Sequence, residues 1–171
     1  FIVGETKNEL GGSHYYKIKD LLGANVPQLD LKTAPKIAQK ISYAIDKQLI
    51  VSCHDCSEGG LAVALAEMAF AGGFGIEADL RGLPKSSDCL RADQQLFSES
   101  NSRYIVEVEP VNYDAFAKLM LNLPFGQIGK VTQDKSLVIK TQDGKTVINL
   151  GINTMKQLGK NMAWLLKKIN R

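Results

Sequence analysis

Ser52-Cys53-His54-Asp55-Cys56-Ser57-Glu58-Gly59-Gly60-Leu61 stands between an apolar run, Leu49-Ile50-Val51, and an apolar helix pattern from Leu61 to Ala71. The pattern predicts a buried strand over Leu49 to Cys53, a polar turn marked by glycine, and a buried helix. A helix start leaves its first backbone N–H groups unpaired, so such a turn offers donors to an anion. His54, Asp55, Ser57, Gly59 and Gly60 are therefore candidate ligand contacts. The apolar segments on both sides argue against a solvated surface loop.

Working outward, Phe1 to Glu5 is expected as a short strand and Thr6 to Ser13 as a loop carrying Leu10-Gly11-Gly12-Ser13. Paired glycines allow positive φ or a close backbone approach to a ligand. His14 to Leu22 suits a short helix, and Gly23 to Leu31 a connector. Ile37, Ile41, Ala44 and Ile45 recur at helical spacing, which predicts a helix over Ala34 to Lys47 with Thr33 as N-cap and Pro35 in the first turn. On the other side, Gly72-Gly73 ends the apolar helix. Phe74 to Leu80 is expected as a strand, Gly82 to Ser87 as a loop and Leu90 to Phe97 as a short helix. That helix leads into a second polar cluster, Ser98-Glu99-Ser100-Asn101-Ser102-Arg103.

Tyr104 to Val108 alternates as a strand, with Val106 and Val108 on one face against Glu107 and Glu109. Asn112 to Leu121 is expected as a helix, and Phe125 to Val131, Ser136 to Lys140 and Thr146 to Leu150 as strands. Asp143-Gly144 turns between the last two. Ile152, Met155, Leu158, Met162, Leu165, Leu166 and Ile169 form the apolar stripe of a closing helix. With no internal repeat or linker, the expectation is one α+β domain over residues 1–171, a mixed β-sheet flanked by helices.

Composition excludes several functions. Of 171 residues, 44% are hydrophobic and 23% charged, with a net charge of +3. The basic residues are scattered apart from Lys167-Lys168 and Arg171, which is no nucleic-acid footprint. No apolar run is long enough to span a bilayer. Three unevenly spaced cysteines fit reduced thiols in a cytoplasmic protein. The chain opens at Phe1 on a strand already under way, which points to a piece of a longer protein and to a site shared with an absent neighbour.

Each candidate motif has competing readings. Cys53-x-x-Cys56 lacks the second ligand pair that zinc requires, so two partly buried thiols are expected rather than a metal site or a redox pair. His54-Asp55 is a base beside a carboxylate, but no nucleophile is marked, and neighbours on a strand point to opposite faces. Gly59-Gly60 suits phosphate binding and close packing equally. Ser98, Ser100 and Ser102 with Glu99 and Arg103 supply hydroxyls, a carboxylate and a guanidinium, a set that suits a phosphate ester. The same residues also fit a polar turn with a capping serine and Arg103 paired to a surface acid.

Taken in order, the stretches Gly4-Glu5-Thr6, Glu9 to Ser13, His54 to Met68, Leu96 to Arg103 and Gly126-Gln127-Ile128-Gly129-Lys130-Val131 carry a resemblance. Together they closely resemble the carboxy-terminal domain of the synthetase subunit of phosphoribosylformylglycinamidine synthase of the small bacterial and archaeal type. That domain belongs to the aminoimidazole ribonucleotide synthetase superfamily. The resemblance implies ATP-dependent conversion of formylglycinamide ribonucleotide and glutamine to formylglycinamidine ribonucleotide and glutamate in purine synthesis. It implies ATP and magnesium in the full-length enzyme, with none expected on this fragment. It further implies amino-terminal ATP-binding domains on the same chain and glutaminase and small accessory subunits as partners, and it leaves a homodimer of the isolated domain open.

No catalytic residue carries over from the family. The polar turns, with Gly11, Gly12, Ser13, His54, Asp55, Ser57, Gly59, Gly60, Ser98, Glu99, Ser100, Ser102 and Arg103, are assigned to substrate or phosphate contact. The turn from His54 to Gly60 and the stretch from Ser98 to Arg103 are expected on one cleft. His14 departs from the family, which commonly has Glu there, and Cys53 and Cys56 stand where it has small or aliphatic residues. Two alternatives remain: a scaffold domain without ligand contact, or the equivalent domain of another superfamily member.

Overall fold

Two four-stranded sheets organise residues 1–158, the part of the chain that the computed structural model describes. The elements are β1 (Ile2–Val3), α1 (His14–Lys17), α2 (Ala34–Asp46), β2 (Ser52–Asp55), α3 (Gly60–Gly72), β3 (Gly75–Asp79), α4 (Ala92–Phe97), β4 (Tyr104–Glu107), α5 (Tyr113–Met120), β5 (Phe125–Gly126), β6 (Gly129–Thr132), β7 (Ser136–Lys140) and β8 (Thr146–Gly151). The first sheet has the order β2-β4-β1-β5 and is antiparallel throughout. The second, β6-β3-β7-β8, is mixed, with β3 and β7 parallel. The α+β class stands, with its strands divided between two sheets.

Helix α3 is apolar apart from Glu67 because most of its surface lies between the two sheets. Leu61, Ala62, Ala64, Leu65 and Ala69 are buried and pack with Ile2 and Ile105 from the first sheet and Leu137 and Ile139 from the second. Gly73, left-handed at φ 73°, stops the helix as the sequence predicts. Helices α2 and α5 cover the other face of the first sheet through Ile37, Ile41, Phe116 and Met120, which meet Val3 and Val106. That sheet is therefore buried on both faces, so Ile105 and Val106 are both inside. This replaces the apolar/polar alternation expected of Tyr104 to Val108.

Other boundaries differ for identifiable reasons. The strand expected at Leu49 to Cys53 lies at Ser52–Asp55, on the edge of its sheet with β4 as its one neighbour. Val51 is 58% exposed, while Leu49 and Ile50 tuck against the α2–α5 cluster just before the strand begins. Thr33 is already helical and makes no side-chain cap. Phe125 to Val131 is broken at Gln127-Ile128: β5 belongs to the first sheet and β6 to the second. The chain passes so close to β3 there that a Cβ on Gly129 would lie 2.1 Å from the Glu77 carbonyl oxygen.

Helix α1 ends at Lys17, leaving Ile18, Leu21 and Leu22 exposed. Residues 23–33 then cross the surface as an irregular strap. Ile152 and Met155 are buried as the closing stripe requires, Leu158 is exposed, and Met162, Leu165, Leu166 and Ile169 lie outside the described residues.

Candidate functional site

The turn after β2 and the turn before β4 are 40 residues apart in sequence and adjacent in space. Cys56 N–H donates to the Arg103 carbonyl at 2.9 Å, laying the first turn along the start of β4. Gly59 and Gly60 are both left-handed, at φ 78° and 64°. A Cβ on Gly60 would lie 2.4 Å from the Ser98 carbonyl oxygen, so the start of α3 is pressed against the connection from α4 to β4. Close packing thus accounts for Gly60.

Glu99 holds the two turns together. Its Oε1 accepts from Gly59 N–H at 2.8 Å and from His14 N–H at 3.0 Å. A carboxylate from the chain itself therefore occupies the opening of α3, where sequence suggested an external anion. His14 places its imidazole 3.5 Å from Glu99 Oε1 and 3.8 Å from Glu58 Oε2.

Several expected ligand contacts are turned inward. The Arg103 side chain is 1% exposed. It donates from Nε to Ser100 O at 2.9 Å, from Nη1 to Thr6 Oγ1 at 3.0 Å and from Nη2 to Ser98 O at 2.5 Å. Ser98 Oγ accepts from Glu9 N–H at 3.2 Å and Ser100 Oγ from Lys7 N–H at 3.1 Å. These three residues staple the loop from Thr6 to Ser13 onto the second turn, so the bonds they make run inside the domain. Ser13 caps α1, accepting from Tyr16 N–H at 3.2 Å and donating to Leu10 O at 2.7 Å. Gly11 and Gly12 donate to Asn25 O and Leu22 O, both at 2.7 Å, and so anchor the strap.

The remaining candidates stay near the surface. His54 lies on β2, with Nδ1 2.7 Å from the Asp55 carbonyl oxygen and Nε2 3.2 Å from Glu67 Oε2 on α3. Ser57 Oγ donates to Asp55 Oδ2, and this bond holds the Asp55 carboxyl below its ordinary range. Asp55, Ser57, Glu99 and Ser102 line one cavity of about 510 Å³, closed on one side by Pro27 and Leu29 of the strap. Asn101 and Tyr104 complete its wall, and neither was singled out in the sequence. Ser102 is left-handed at φ 59°. Glu9 was also missed as a site residue, although it stands in a quoted motif. It is 7% exposed, its Oε1 accepts from Gln28 N–H at 3.0 Å, and its Oε2 is buried without a partner.

The thiols are poorly disposed to react. Cys56 is buried and its pKa is pushed up to about 11, chiefly by desolvation. Cys89 is raised to about 11 for the same reason, and partial burial raises exposed Cys53 as well. Among the described residues no group of three or more His, Cys, Asp or Glu is arranged to hold a metal ion.

Two packed sheets with a buried central helix, tied by a polar seam at its start, define an α+β domain of the aminoimidazole ribonucleotide synthetase kind. Residues 1–142 match the family model described as AIR synthase related protein, C-terminal domain, and the chain belongs to that family. It is 39% identical over 158 residues to phosphoribosylformylglycinamidine synthase subunit PurL of Methanocaldococcus jannaschii. It is 37% identical over 159 residues to the same subunit of Caldanaerobacter subterraneus. Each alignment covers 91% of this chain and 21% of the relative, so the chain spans about a fifth of the length of the curated relatives it matches. Among solved structures, T. maritima PurL complexed with FGAR superposes with a TM-score of 0.77 at 17% identity, over 90% of this chain and 27% of that one. The HypE–HypF complex gives 0.64 at 20% identity, over 88% and 51%.

Proposed function

We propose that residues 1–171 form one carboxy-terminal domain of a phosphoribosylformylglycinamidine synthase, an ATP-dependent carbon–nitrogen ligase of purine biosynthesis. The observation that carries this reading is the 39% identity to a PurL subunit across 91% of the chain. In that reaction ATP phosphorylates the amide oxygen of formylglycinamide ribonucleotide, and ammonia from a glutaminase displaces the phosphate to leave the amidine. The domain's contribution is a ribonucleotide-facing cleft at the seam of Asp55, Ser57, Glu99 and Ser102.

T. maritima PurL has been solved with ATP, and a PurLQS assembly from the same organism is known. These support ATP, and glutaminase and small accessory subunits, for the full-length enzyme. The cavity at the seam does not fit ATP and magnesium. The cavity carries two carboxylates, no lysine and one guanidinium turned inward, and no metal-holding cluster exists among the described residues. Those groups are assigned to the rest of the enzyme. Among the described residues no helix is long and apolar enough to cross a membrane, and the cytoplasm is the proposed location.

A second reading, a scaffold that orders its neighbours without touching ligand, is favoured by the inward commitment of Ser98, Ser100 and Arg103. The test is ammonia- and ATP-dependent amidine formation by the full-length protein that carries this domain. Its absence would overturn the assignment. Turnover by the 171-residue chain alone would overturn the placement of the chemistry elsewhere. An unchanged KM for the ribonucleotide in full-length Asp55→Asn and Glu99→Gln enzymes would favour the scaffold.

A further inference from the structure

A second cavity shares no lining residue with the seam. Its volume is about 340 Å³, at the small end of the range for small-molecule sites. Residues 7–9 of the loop, residues 24–26 and 28 of the strap, and Ser86 and Asp88 wall it. Glu9 is the unusual group in that wall, at 7% exposure. Its backbone is fully used: the N–H donates to Ser98 Oγ at 3.2 Å and the carbonyl accepts from Glu99 N–H at 3.4 Å. Its carboxyl is turned to the strap, where Oε1 accepts from Gln28 N–H at 3.0 Å. Oε2 of the same carboxyl is buried with no partner among the described residues. Arg103 feels the charge of Glu9, but its donors go to Ser98 O, Ser100 O and Thr6 Oγ1. A buried carboxylate oxygen without a donor is costly, so the position calls for a donor or a cation from outside the domain.

The rest of the wall decides which kind. Asp88 is exposed, and its Oδ1 accepts from Ser86 Oγ at 2.6 Å. Lys7 is the one cation in the lining, so the two carboxylates exceed it by a single charge. One positive charge balances that excess, and a divalent ion would overshoot it. A bare alkali ion would leave most of the cavity to water. A primary ammonium carries one charge and three N–H donors. One donor meets Glu9 Oε2, the others reach Asp88 and the amide oxygens of the strap, and Ala24 and Val26 give the attached carbons an apolar side. We infer that this cavity binds the ammonium group of a small primary amine, with Glu9 Oε2 as its buried acceptor. Because Oε2 is covered, the amine must part the strap from the loop to reach it, and the backbone signals of the strap report its arrival. The site is independent of the ribonucleotide-facing cleft proposed above, and its failure would leave that cleft standing.

An amide-shift titration of the chain with the chlorides of methylammonium, n-butylammonium, tetramethylammonium and potassium, at constant ionic strength, tests this at Glu9, Asn25 and Gln28. The two primary ammonium salts should shift these signals saturably, n-butylammonium the more tightly because its chain reaches Ala24 and Val26. Tetramethylammonium, which has the charge but no N–H, and potassium should not. Glu9→Gln keeps an oxygen for Gln28 N–H and sets an amide N–H₂ where the orphan acceptor stood. It should weaken both primary amines by about tenfold or more, as loss of a charged hydrogen bond requires. Asp88→Asn, at an exposed position, should weaken them about twofold to fivefold with the fold signals unmoved. Should Glu9→Gln fail to fold, Asp88→Asn and the four salts still decide the matter. No saturable shift from either primary amine would overturn the inference and leave Oε2 to an ordered water. Equal shifts from potassium would make the cavity an alkali-ion site and overturn the ammonium assignment. Undiminished binding in folded Glu9→Gln, or in Asp88→Asn, would refute the role given to that carboxylate.

Discussion

Replacing Arg103 with alanine should damage the fold before it damages any site. The guanidinium is 1% exposed and makes three hydrogen bonds, at 2.9, 3.0 and 2.5 Å, to two carbonyls and a hydroxyl. Burial pulls its pKa down, and nearby Cys56 and Glu9 oppose that shift. In Arg103→Ala the Ser98 and Ser100 carbonyls and Thr6 Oγ1 lose their donors, and a void opens between the loop from Thr6 to Ser13 and the turn before β4. Three charge-assisted bonds at about 1.5–3 kcal/mol each set an upper bound of roughly 5–9 kcal/mol, and removing one partner of a buried charged network costs about 3–5 kcal/mol, the figure adopted for Arg103→Ala. For a chain of this length each kcal/mol moves the midpoint by about 2–4 °C, so Tm should fall by roughly 10–15 °C. Arg103→Lys keeps the charge but not the fork and should recover less than half of the loss. Urea unfolding followed by tryptophan-independent far-UV signal, with thermal melts alongside, measures this directly. An Arg103→Ala chain within about 1 kcal/mol of the parent, yet tenfold weaker for a ribonucleotide, would show that the guanidinium serves ligand and that its inward bonds do not matter.

Three further outcomes follow from the same geometry. Cys53→Ala with Cys56→Val should leave the unfolding midpoint within about 1 kcal/mol of the parent. Thiol titration should find modification slow below the raised thiol pKa values, with exposed Cys53 reacting first; stoichiometric zinc in the purified chain would contradict this. Gly60→Ala should cost about 2 kcal/mol or more, combining left-handed strain with a clash against Ser98 O. Gly12→Ala, also left-handed but with open space around it, should cost about 1 kcal/mol, and denaturant curves for the pair separate strain from clash. Asp55, Asp79 and Asp93 have folded pKa values held below the ordinary range, chiefly by side-chain hydrogen bonds from Ser57, Arg81 and Arg91. A depressed carboxyl contributes stability above its unfolded pKa and loses it as pH falls through the folded value. Melting temperature should therefore hold across neutral pH and drop once the pH passes below the ordinary carboxylate range; a Tm that rises on acidification would contradict it.

What the sequence disclosed tracks what burial alone can write into a pattern. Helix α3 was legible because a long apolar run, interrupted only at Glu67 and closed by Gly72-Gly73, has few other uses, and α2 because Ile37, Ile41 and Ala44 mark one face. The edge strand β2 was misplaced by three residues because Leu49-Ile50-Val51 is apolar for packing in front of the strand, not for pairing within it. Phe125 to Val131 has the composition of one strand, and nothing in it says that the chain changes sheets at Gln127. Ser98 to Arg103 was the hardest, since a polar run looks solvated unless its partners are known. Here the partners are the backbone N–H groups of Lys7 and Glu9 and the hydroxyl of Thr6, more than 85 positions away, and the contact of Glu99 with Gly59 spans 40.

That last contact decides how the start of α3 behaves. A helix opening with glycines, N–H groups forward, has the makings of a phosphate site. In this chain the position is filled by a carboxylate carried on a short connection, bonded to Gly59 and His14 N–H. A tethered group competes at an effective concentration of at least the millimolar order, so a free phosphate must displace it as well as shed its own water. Displacement would also break the link between the starts of α1 and α3 and leave Glu99 facing Asp55 and Glu58 without donors. The glycine pair therefore serves closure of the seam, with Glu99 Oε1 as the acceptor that holds it shut.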